Sequence, residues 1–360
     1  MKVTIQKTDL VALVETVRQV AARSSSTFAL QCLLLETQFS FLQVTGTNLD
    51  VAMRAKREAH IQERGSIAIP AGRFWKIVQE LPDGLVCIEA ANHKATIRAG
   101  ALVVQLMCGD PKTFLPWPNQ GEVNAFFEFS GPALAGALEK VAPFVTDDLG
   151  RYALRSVLFE AKNERVQVVA SDGRRISVDA VQVPWVRQFA FCLPADSVSH
   201  VVRACQAETV QVNVHGNLLH LVGDSVELVA KLSETDFPDW RQALPAGRDG
   251  SVEVKRSDLL AALGRVRLCG SVKVRIRFEG EELELFADLF GVGEATEKFS
   301  IDFAGVSFAA CYNVQYLIEA LQVMGGECVR FDLPHNPDQA LKLVDSVGEC
   351  FHILMPIKSV

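Results

Sequence analysis

One pattern, written three times, constrains this chain more than any other property. Val3 and Ile5 alternate in a short strand-like run, and Leu10, Leu13, Val14 and Val17 follow at the i, i+3, i+4, i+7 spacing of an amphipathic helix, with Thr8 or Asp9 as the expected N-cap. Phe127 and Phe129 precede Leu134, Ala137, Leu138 and Val141 in the same way, and Val252 and Val254 precede Leu259, Ala262, Leu263 and Val266. Phe127 stands 124 positions after Val3, and Val252 stands 125 after Phe127. A period that long marks a repeated domain, not the roughly 20–50-residue unit of a solenoid.

A second helix recurs in each unit. Ile69-Pro70-Ala71 opens one with Phe74, Val78 and Leu81 inward; Leu193-Pro194-Ala195 opens another with Val198, Val202 and Cys205; Cys311-Tyr312-Asn313 opens the third with Tyr316, Ala320 and Val323. Most of the remainder reads as alternating strands, Gln38 to Val44, Leu154 to Phe159 and Lys273 to Phe278 among them. The reading is an α+β chain of three repeated domains, each with two helices on antiparallel sheet, over residues 1–120, 121–245 and 246–360. The joins fall in proline-rich polar segments at 110–124 and 237–250, as linkers tend to.

A glycine-bearing turn repeats as well. VVASDGRRISV, from Val168 to Val178, is a strand–turn–strand signal whose counterpart 124 residues earlier is Val44-Thr45-Gly46-Thr47-Asn48-Leu49-Asp50-Val51, after the strand-like run Phe39 to Gln43. The middle copy carries Asp172 and the pair Arg174-Arg175.

Bulk properties narrow the function class. The net charge of −7 argues against a simple basic nucleic-acid binder, although charge segregated onto one face would escape that argument. Nine cysteines without a Cys-x-x-Cys pair fit reduced thiols used as small buried hydrophobes. The start of the chain has no apolar signal core, and no run of about 18 apolar residues offers a membrane span, so a cytoplasmic location is expected. Enzymatic signatures are lacking. Gly291-Val292-Gly293 is an incomplete dinucleotide loop, and there is no phosphate-binding Gly-Lys loop, nucleophile elbow or His-Glu-x-x-His. His215 and His220 are expected on opposite faces of an extended strand, parted further by a turn at Gly216-Asn217. Trp75, Trp117, Trp185 and Trp240 read as core or linker anchors. No metal, cofactor or catalytic residue is expected.

Seven segments in order carry a resemblance: TGTNLD (45–50), IPAGRFWKIVQELPDG (69–84), RYALRSVLFE (151–160), VASDGRRISV (169–178), KLSETDFPDWRQALP (231–245), YNVQYLIEAL (312–321) and HILMPIK (352–358). Together they resemble the bacterial DNA polymerase III β subunits, the sliding clamps, through all three repeats. The resemblance implies a head-to-tail dimeric ring around duplex DNA, helices lining the hole and sheets forming the rim. It implies a non-catalytic processivity factor of the DNA polymerase III holoenzyme; the alternative is a clamp-like protein that sequesters clamp partners without encircling DNA.

Carried over residue by residue, the resemblance implies a partner-peptide groove between the second and third domains. It would comprise Leu154, Ser171, Gly173, Arg174, Arg175, Ile176, Pro238, Asn313, Tyr316, Ile353, Met355, Pro356 and Ile357. Its ligands would be the polymerase α subunit, the clamp loader and repair proteins, each through a short hydrophobic peptide carrying a glutamine. Sequence-independent DNA contacts would come from Arg18, Arg23, Arg73, Lys76, Lys140, Arg151, Tyr152, Arg203, Arg265 and Arg267. The protomer contact would join an edge strand holding Val104 and Leu106 to Leu268 and Cys269 in the third domain; a buried central strand at 102–106 is the plain alternative. The chain departs from the family at Arg174, usually histidine, and at Ala153, usually tyrosine. Gln242 and Ala243 replace a basic residue and valine, Ala195 and Asp196 replace basic residues, and Ser359-Val360 follow Lys358. These departures put partner-peptide preference in question and fit a divergent or secondary clamp.

Overall fold

The fold is a computed structural model describing residues 1–118, 121–245, 247–248 and 250–358, with backbone alone at 185 and 186. Ser359, Val360 and the Trp185 side chain therefore lie outside the described residues. Six α-helices occur among the described residues: α1 (Lys7–Arg18), α2 (Ala71–Glu80), α3 (Gly131–Val141), α4 (Ala195–Ala204), α5 (Arg256–Val266) and α6 (Val314–Val323). Each repeat supplies two. Helix α1 buries Leu10, Leu13, Val14 and Val17, and α5 buries Leu259, Ala262, Leu263 and Val266, the stripes that the spacing predicts. Full burial of each such side chain contributes about 1.5–3 kcal/mol.

Three local expectations shift. Helix α1 begins at Lys7 with Gln6 at the N-cap, because Gln6 still pairs with Leu85 and the Lys7 N–H donates to Gly84 O; Thr8 and Asp9 fall inside the first turn. In α4 the expected Val198 is buried with Val201 and Ala204, and Cys205 just beyond is buried too, but Val202 is only half-buried; in α6 the expected Ala320 is buried with Leu317, Ile318 and Leu321, while Tyr316 and Val323 are half-buried. The run 38–44 is not one strand. Cys32–Gln38 and Phe41–Thr47 form a two-residue hairpin with Phe39 at φ 48°, hidden in the sequence because apolar alternation continues through the turn.

The chain packs as two compact units, Met1–Ala135 with Asp196–Leu232, and Gly136–Ala195 with Ser233–Val360, so the middle repeat contributes to both. All strand pairs are antiparallel. The first unit holds a five-stranded sheet in the order His60–Glu63, Lys2–Gln6, Leu85–Ala91, Lys94–Ala99, Leu102–Met107. It also holds an eight-stranded sheet in which the first repeat joins the middle one, through Val226↔Ala55, Leu228↔Met53 and Ala230↔Val51. The second unit holds a six-stranded sheet joined between the middle and third repeats at Ile176↔Ile353 and Val178↔Phe351. Its four-stranded sheet has Gly293–Ser300 outermost, then Glu282–Leu289, Lys273–Glu279 and Phe308–Asn313.

The repeated turn is preserved down to its hydrogen bonds. In the first copy the Thr47 hydroxyl donates to Val51 O and accepts from Leu49 N–H, while Asn48 Oδ1 accepts from the N–H of Asp50 and Val51. In the middle copy Ser171 donates to Arg175 O and accepts from Gly173 N–H, while Asp172 Oδ1 accepts from the N–H of Arg174 and Arg175. Leu49 and Gly173 share φ 82°, a left-handed conformation that glycine adopts without strain and leucine does not.

The junction of the first two repeats carries a polar lock. Glu227 accepts from Arg54 Nη2 at 2.5 Å and faces His220 Nε2 at 3.6 Å, and Arg54 stacks on Trp117 at 4.3 Å. His215 and His220 are not parted as their spacing suggests. The hairpin folds the strands back so that His220 opposes Asn213, and the two rings lie 6.3 Å apart.

Candidate functional site

The groove is built where the middle repeat's turn meets the end of the chain. The strand Phe351–Leu354 pairs with Arg175–Val178, and Met355 N–H donates to Arg174 O at 2.9 Å, so the terminal strand runs along the turn. A hollow of about 340 Å³ opens there, lined by Leu154, Ser171, Gly173, Arg174, Arg175, Ile176, Pro238, Ile353 and Met355. These are nine of the expected residues. Its far wall, Phe237, Asp239, Trp240, Gln242 and Ala243, was not read as groove; Gln242 and Ala243 drew attention only as departures and Trp240 only as an anchor. The aromatic and proline content of 237–240 in a join was the signal available.

Asn313, Tyr316, Pro356 and Ile357 do not line this hollow. Asn313 caps α6, its Oδ1 accepting from the N–H of Gln315 and Tyr316, and Ile357 N–H donates to Cys311 O. Under the groove, Leu158, Val169, Ile176, Val178, Cys192, Trp240, Ala340 and Ile353 form one apolar cluster. Trp240 is fixed in it by Nε1–H donation to Glu160 at 3.0 Å and by Arg241 stacked over its ring at 4.4 Å.

Arg175 holds the turn from below. Its guanidinium lies between the rings of Phe144, at 4.7 Å, and Tyr316, at 4.2 Å. It donates to Asp172 Oδ2 at 3.0 Å, to Pro143 O at 2.9 Å and to Glu319 Oε2. Burial opposes charge on Glu319, but donation from Gln315 and Arg175 outweighs it and holds the carboxyl below its ordinary value. Gln315 in turn accepts from Arg267 at 2.5 Å. Arg174 is exposed, and among the described residues it bonds through its backbone alone, its N–H donating to Asp172 Oδ1 and its O accepting from Met355 N–H. Arg151 closes the other side, donating to Asp172 O at 2.8 Å against Gly173, where a Cβ would collide with Arg151 Nη1.

Beside this network His352 is fully buried and stacked on Phe144 at 4.7 Å. Burial, with the charges of Arg175 and Lys140, pushes its pKa from 6.5 down to about 3. In the first unit, His220 and Arg54 hold Glu227 down from 4.5 to about 2. Both groups are depressed on folding, so each stabilises above its unfolded value and loses that contribution as pH falls towards its folded one. Acid weakening therefore begins in the second unit below about pH 6.5 and in the first below about 4.5. In pH-resolved denaturant unfolding, His352→Phe should flatten the slope from about pH 6.5 down to about 3, and Glu227→Gln the slope from about 4.5 down to about 2.

The cations expected on DNA divide into two groups. Arg18, Arg23, Arg73 and Lys76 line one hollow in the first unit, with Arg203 close enough to Arg18 for their charges to repel. Others are engaged with protein partners: Lys140 with Asp179 at 2.9 Å, Arg151 with Asp148 at 3.4 Å, Arg265 with Glu297 Oε2 through its Nε at 2.9 Å, and Arg267 with Gln315. Tyr152 is exposed. Leu102–Met107 is the outermost strand of its sheet, not a central one, with Val104 and Leu106 half-buried between exposed neighbours. Leu268, 85% exposed, and half-buried Cys269 sit in the short turn Arg267–Cys269, near the exposed apolar hairpin tip at Leu289, Phe290 and Val292.

Three family models match the chain: the N-terminal domain of the DNA polymerase III β subunit over residues 1–107, its central domain over 129–239 and its C-terminal domain over 241–358. The β sliding clamp of Pseudomonas aeruginosa is 26% identical, and that of Escherichia coli 25% identical, each over 99% of this chain and 100% of the relative. Among solved structures, the P. aeruginosa clamp bound to griselimycin superposes with a TM-score of 0.94 at 23% identity, covering 100% of both chains. The Thermotoga maritima β subunit gives 0.92 at 22% identity, again covering 100% of both.

Proposed function

This chain belongs to the family of DNA polymerase III β subunits, the sliding clamps, and from that premise we propose how its surfaces divide the work. A sliding clamp is a non-catalytic processivity factor that encircles duplex DNA and tethers the replicative polymerase. Two copies meet head to tail, the edge strand Leu102–Met107 of one against the Leu268–Cys269 turn and the edge strand Gly293–Ser300 of the other. The domain limits we propose are 1–120, 121–245 and 246–360.

The hollow walled by Ser171–Ile176, Phe237–Ala243 and the terminal strand takes a short hydrophobic peptide of the polymerase α subunit, the clamp loader or a repair protein. What supports this is an open apolar cavity against a fully bonded turn, with flexible Met355 at its rim. The basic hollow in the first unit and the exposed Tyr152 meet the duplex. Because many helix cations are already paired within the protein, contacts with DNA are weak and retention is topological, which suits sliding. No observation favours sequestration without encirclement.

The test is retention. Loaded by a clamp loader onto nicked circular DNA, the protein should stay bound through gel filtration and leave when a single cut linearises the circle. Equal retention on both forms contradicts encirclement.

A further inference from the structure

The turn that walls the groove has a twin in the first repeat, and the two differ in how one charge is answered. Asp50 holds the position in the first copy that Arg174 holds in the second, each directly after the residue at φ 82°. In both copies the neighbouring strand bonds the carbonyl of that residue: Asp50 O accepts from Lys231 N–H at 2.8 Å, and Arg174 O from Met355 N–H at 2.9 Å. Lys231 also neutralises the side chain, since its Nζ lies 3.3 Å from Asp50 Oδ1. Its counterpart Met355 is a thioether and offers Arg174 no charge.

Nothing else in the hollow answers that charge. The charged residues lining it are Arg174, Arg175 and Asp239. Arg175 is committed to Asp172, Glu319 and Pro143 O, and Asp239 on the opposite wall accepts from Arg241 N–H and from Gln242 Nε2, each at 3.3 Å. Among the described residues the Arg174 guanidinium has no hydrogen bond, ion pair or ring contact, while its backbone is bonded on both sides. A full set of charged donors therefore stands on a rigid base at the rim of an apolar space. A peptide filling that space excludes water from the rim. A guanidinium covered by apolar groups loses hydration without return, whereas a carboxylate set against it makes a two-pronged, charge-assisted bond. The same cation thus selects one peptide and rejects another.

We propose that Arg174 is a specificity-determining residue of the groove and selects partner peptides that present a carboxylate to it. The carboxylate comes either from an Asp or Glu side chain within the peptide or from the peptide's own C-terminus. This rests on the groove taking a partner peptide and adds the charge that such a peptide carries.

The test uses the full chain and fluorescence polarisation with a labelled hydrophobic peptide carrying a glutamine. One glutamate is walked through the peptide against glutamine at the same position, and each peptide is made with a free and an amidated C-terminus. The expected result is one carboxylate that tightens binding at least about tenfold over its amide. Loss on exchange of glutamate for glutamine assigns it to a side chain, and loss on amidation assigns it to the chain end. Arg174→Met should reduce the preference to within about twofold, and Arg174→Glu should reverse it in favour of lysine, or of the amide, at the same place. Both variants should unfold at the parent's denaturant midpoint, because Arg174 bonds only through its backbone. Every carboxylate binding within about twofold of its amide, or a preference that survives in Arg174→Met, overturns the proposal while leaving the groove in place. A peptide that binds in no form overturns the groove reading and this inference with it.

Discussion

Replacing Arg175 with methionine should abolish groove function while leaving the groove's apolar lining in place. The guanidinium serves three acceptors, Asp172, Glu319 and Pro143 O, from between two rings. Methionine can fill the slot between Phe144 and Tyr316, but it leaves two poorly exposed carboxylates facing one another without a cation. Breaking one partner out of such a pair costs about 3–5 kcal/mol. The loss falls on the turn, since Asp172 Oδ1 shapes residues 172–175 through backbone bonds while its other oxygen depends on Arg175. Denaturant unfolding should shift by that amount, and a glutamine-bearing hydrophobic peptide, followed by fluorescence polarisation, should bind at least about tenfold more weakly. Lysine should not rescue, because a single ammonium cannot bridge three acceptors or stack on two rings. Arg174→Ala provides the contrast: that side chain is exposed and makes no bond beyond the backbone, so stability should hardly move. Peptide affinity within twofold of the parent in Arg175→Met would sink the positioning role.

Much of this was legible in the sequence, for identifiable reasons. The stripe Leu10–Leu13–Val14–Val17 and its two copies follow from periodicity alone, since a 3.6-residue repeat of large aliphatics has few other ways to hide. The repeat was legible for the same reason, and the turns at 47–51 and 171–175 extend it to individual hydrogen bonds that no pattern of apolar residues encodes. Helix limits were harder. Lys7 follows a strand that pairs to its last residue, so strand pairing overrode the expected cap at Thr8 or Asp9. The far wall of the groove escaped because Phe237 and Trp240 lie in what reads as a linker, and only burial in the cluster of Ile353 and Val169 gives them a role, while exposed Asp239 between them caps the short turn by accepting from Arg241 N–H. The sequence also placed Lys140 among DNA-facing cations without revealing Asp179, thirty-nine residues away, which takes up its charge. Long-range polar partners leave no periodic trace.

Leu268→Glu should convert the proposed dimer to monomers without unfolding them. The side chain is 85% exposed, so a carboxylate there costs the isolated protomer almost nothing. In the proposed ring the same position faces the apolar edge strand Leu102–Met107, whose Leu102, Val103 and Met107 are exposed. Burying a charge against that strand carries a cost of hot-spot size, about 2–4 kcal/mol per contact. A head-to-tail dimer has two identical contacts, so one substitution acts twice. The summed cost of about 4–8 kcal/mol weakens dimerisation by about a thousandfold or more. Light scattering at micromolar concentration should then report the mass of one 39.4 kDa chain, which should still melt cooperatively, below the parent only by what association adds to the dimer. Retention on circular DNA should vanish while peptide affinity stays intact, because the groove lies wholly within the second unit. A variant that remains dimeric places the protomer contact elsewhere. Val103→Glu on the opposing strand should reproduce the monomer independently. Mixing the two variants leaves one contact native and sets two carboxylates of like sign against each other at the other, so it should give at most a singly joined pair and no closed ring.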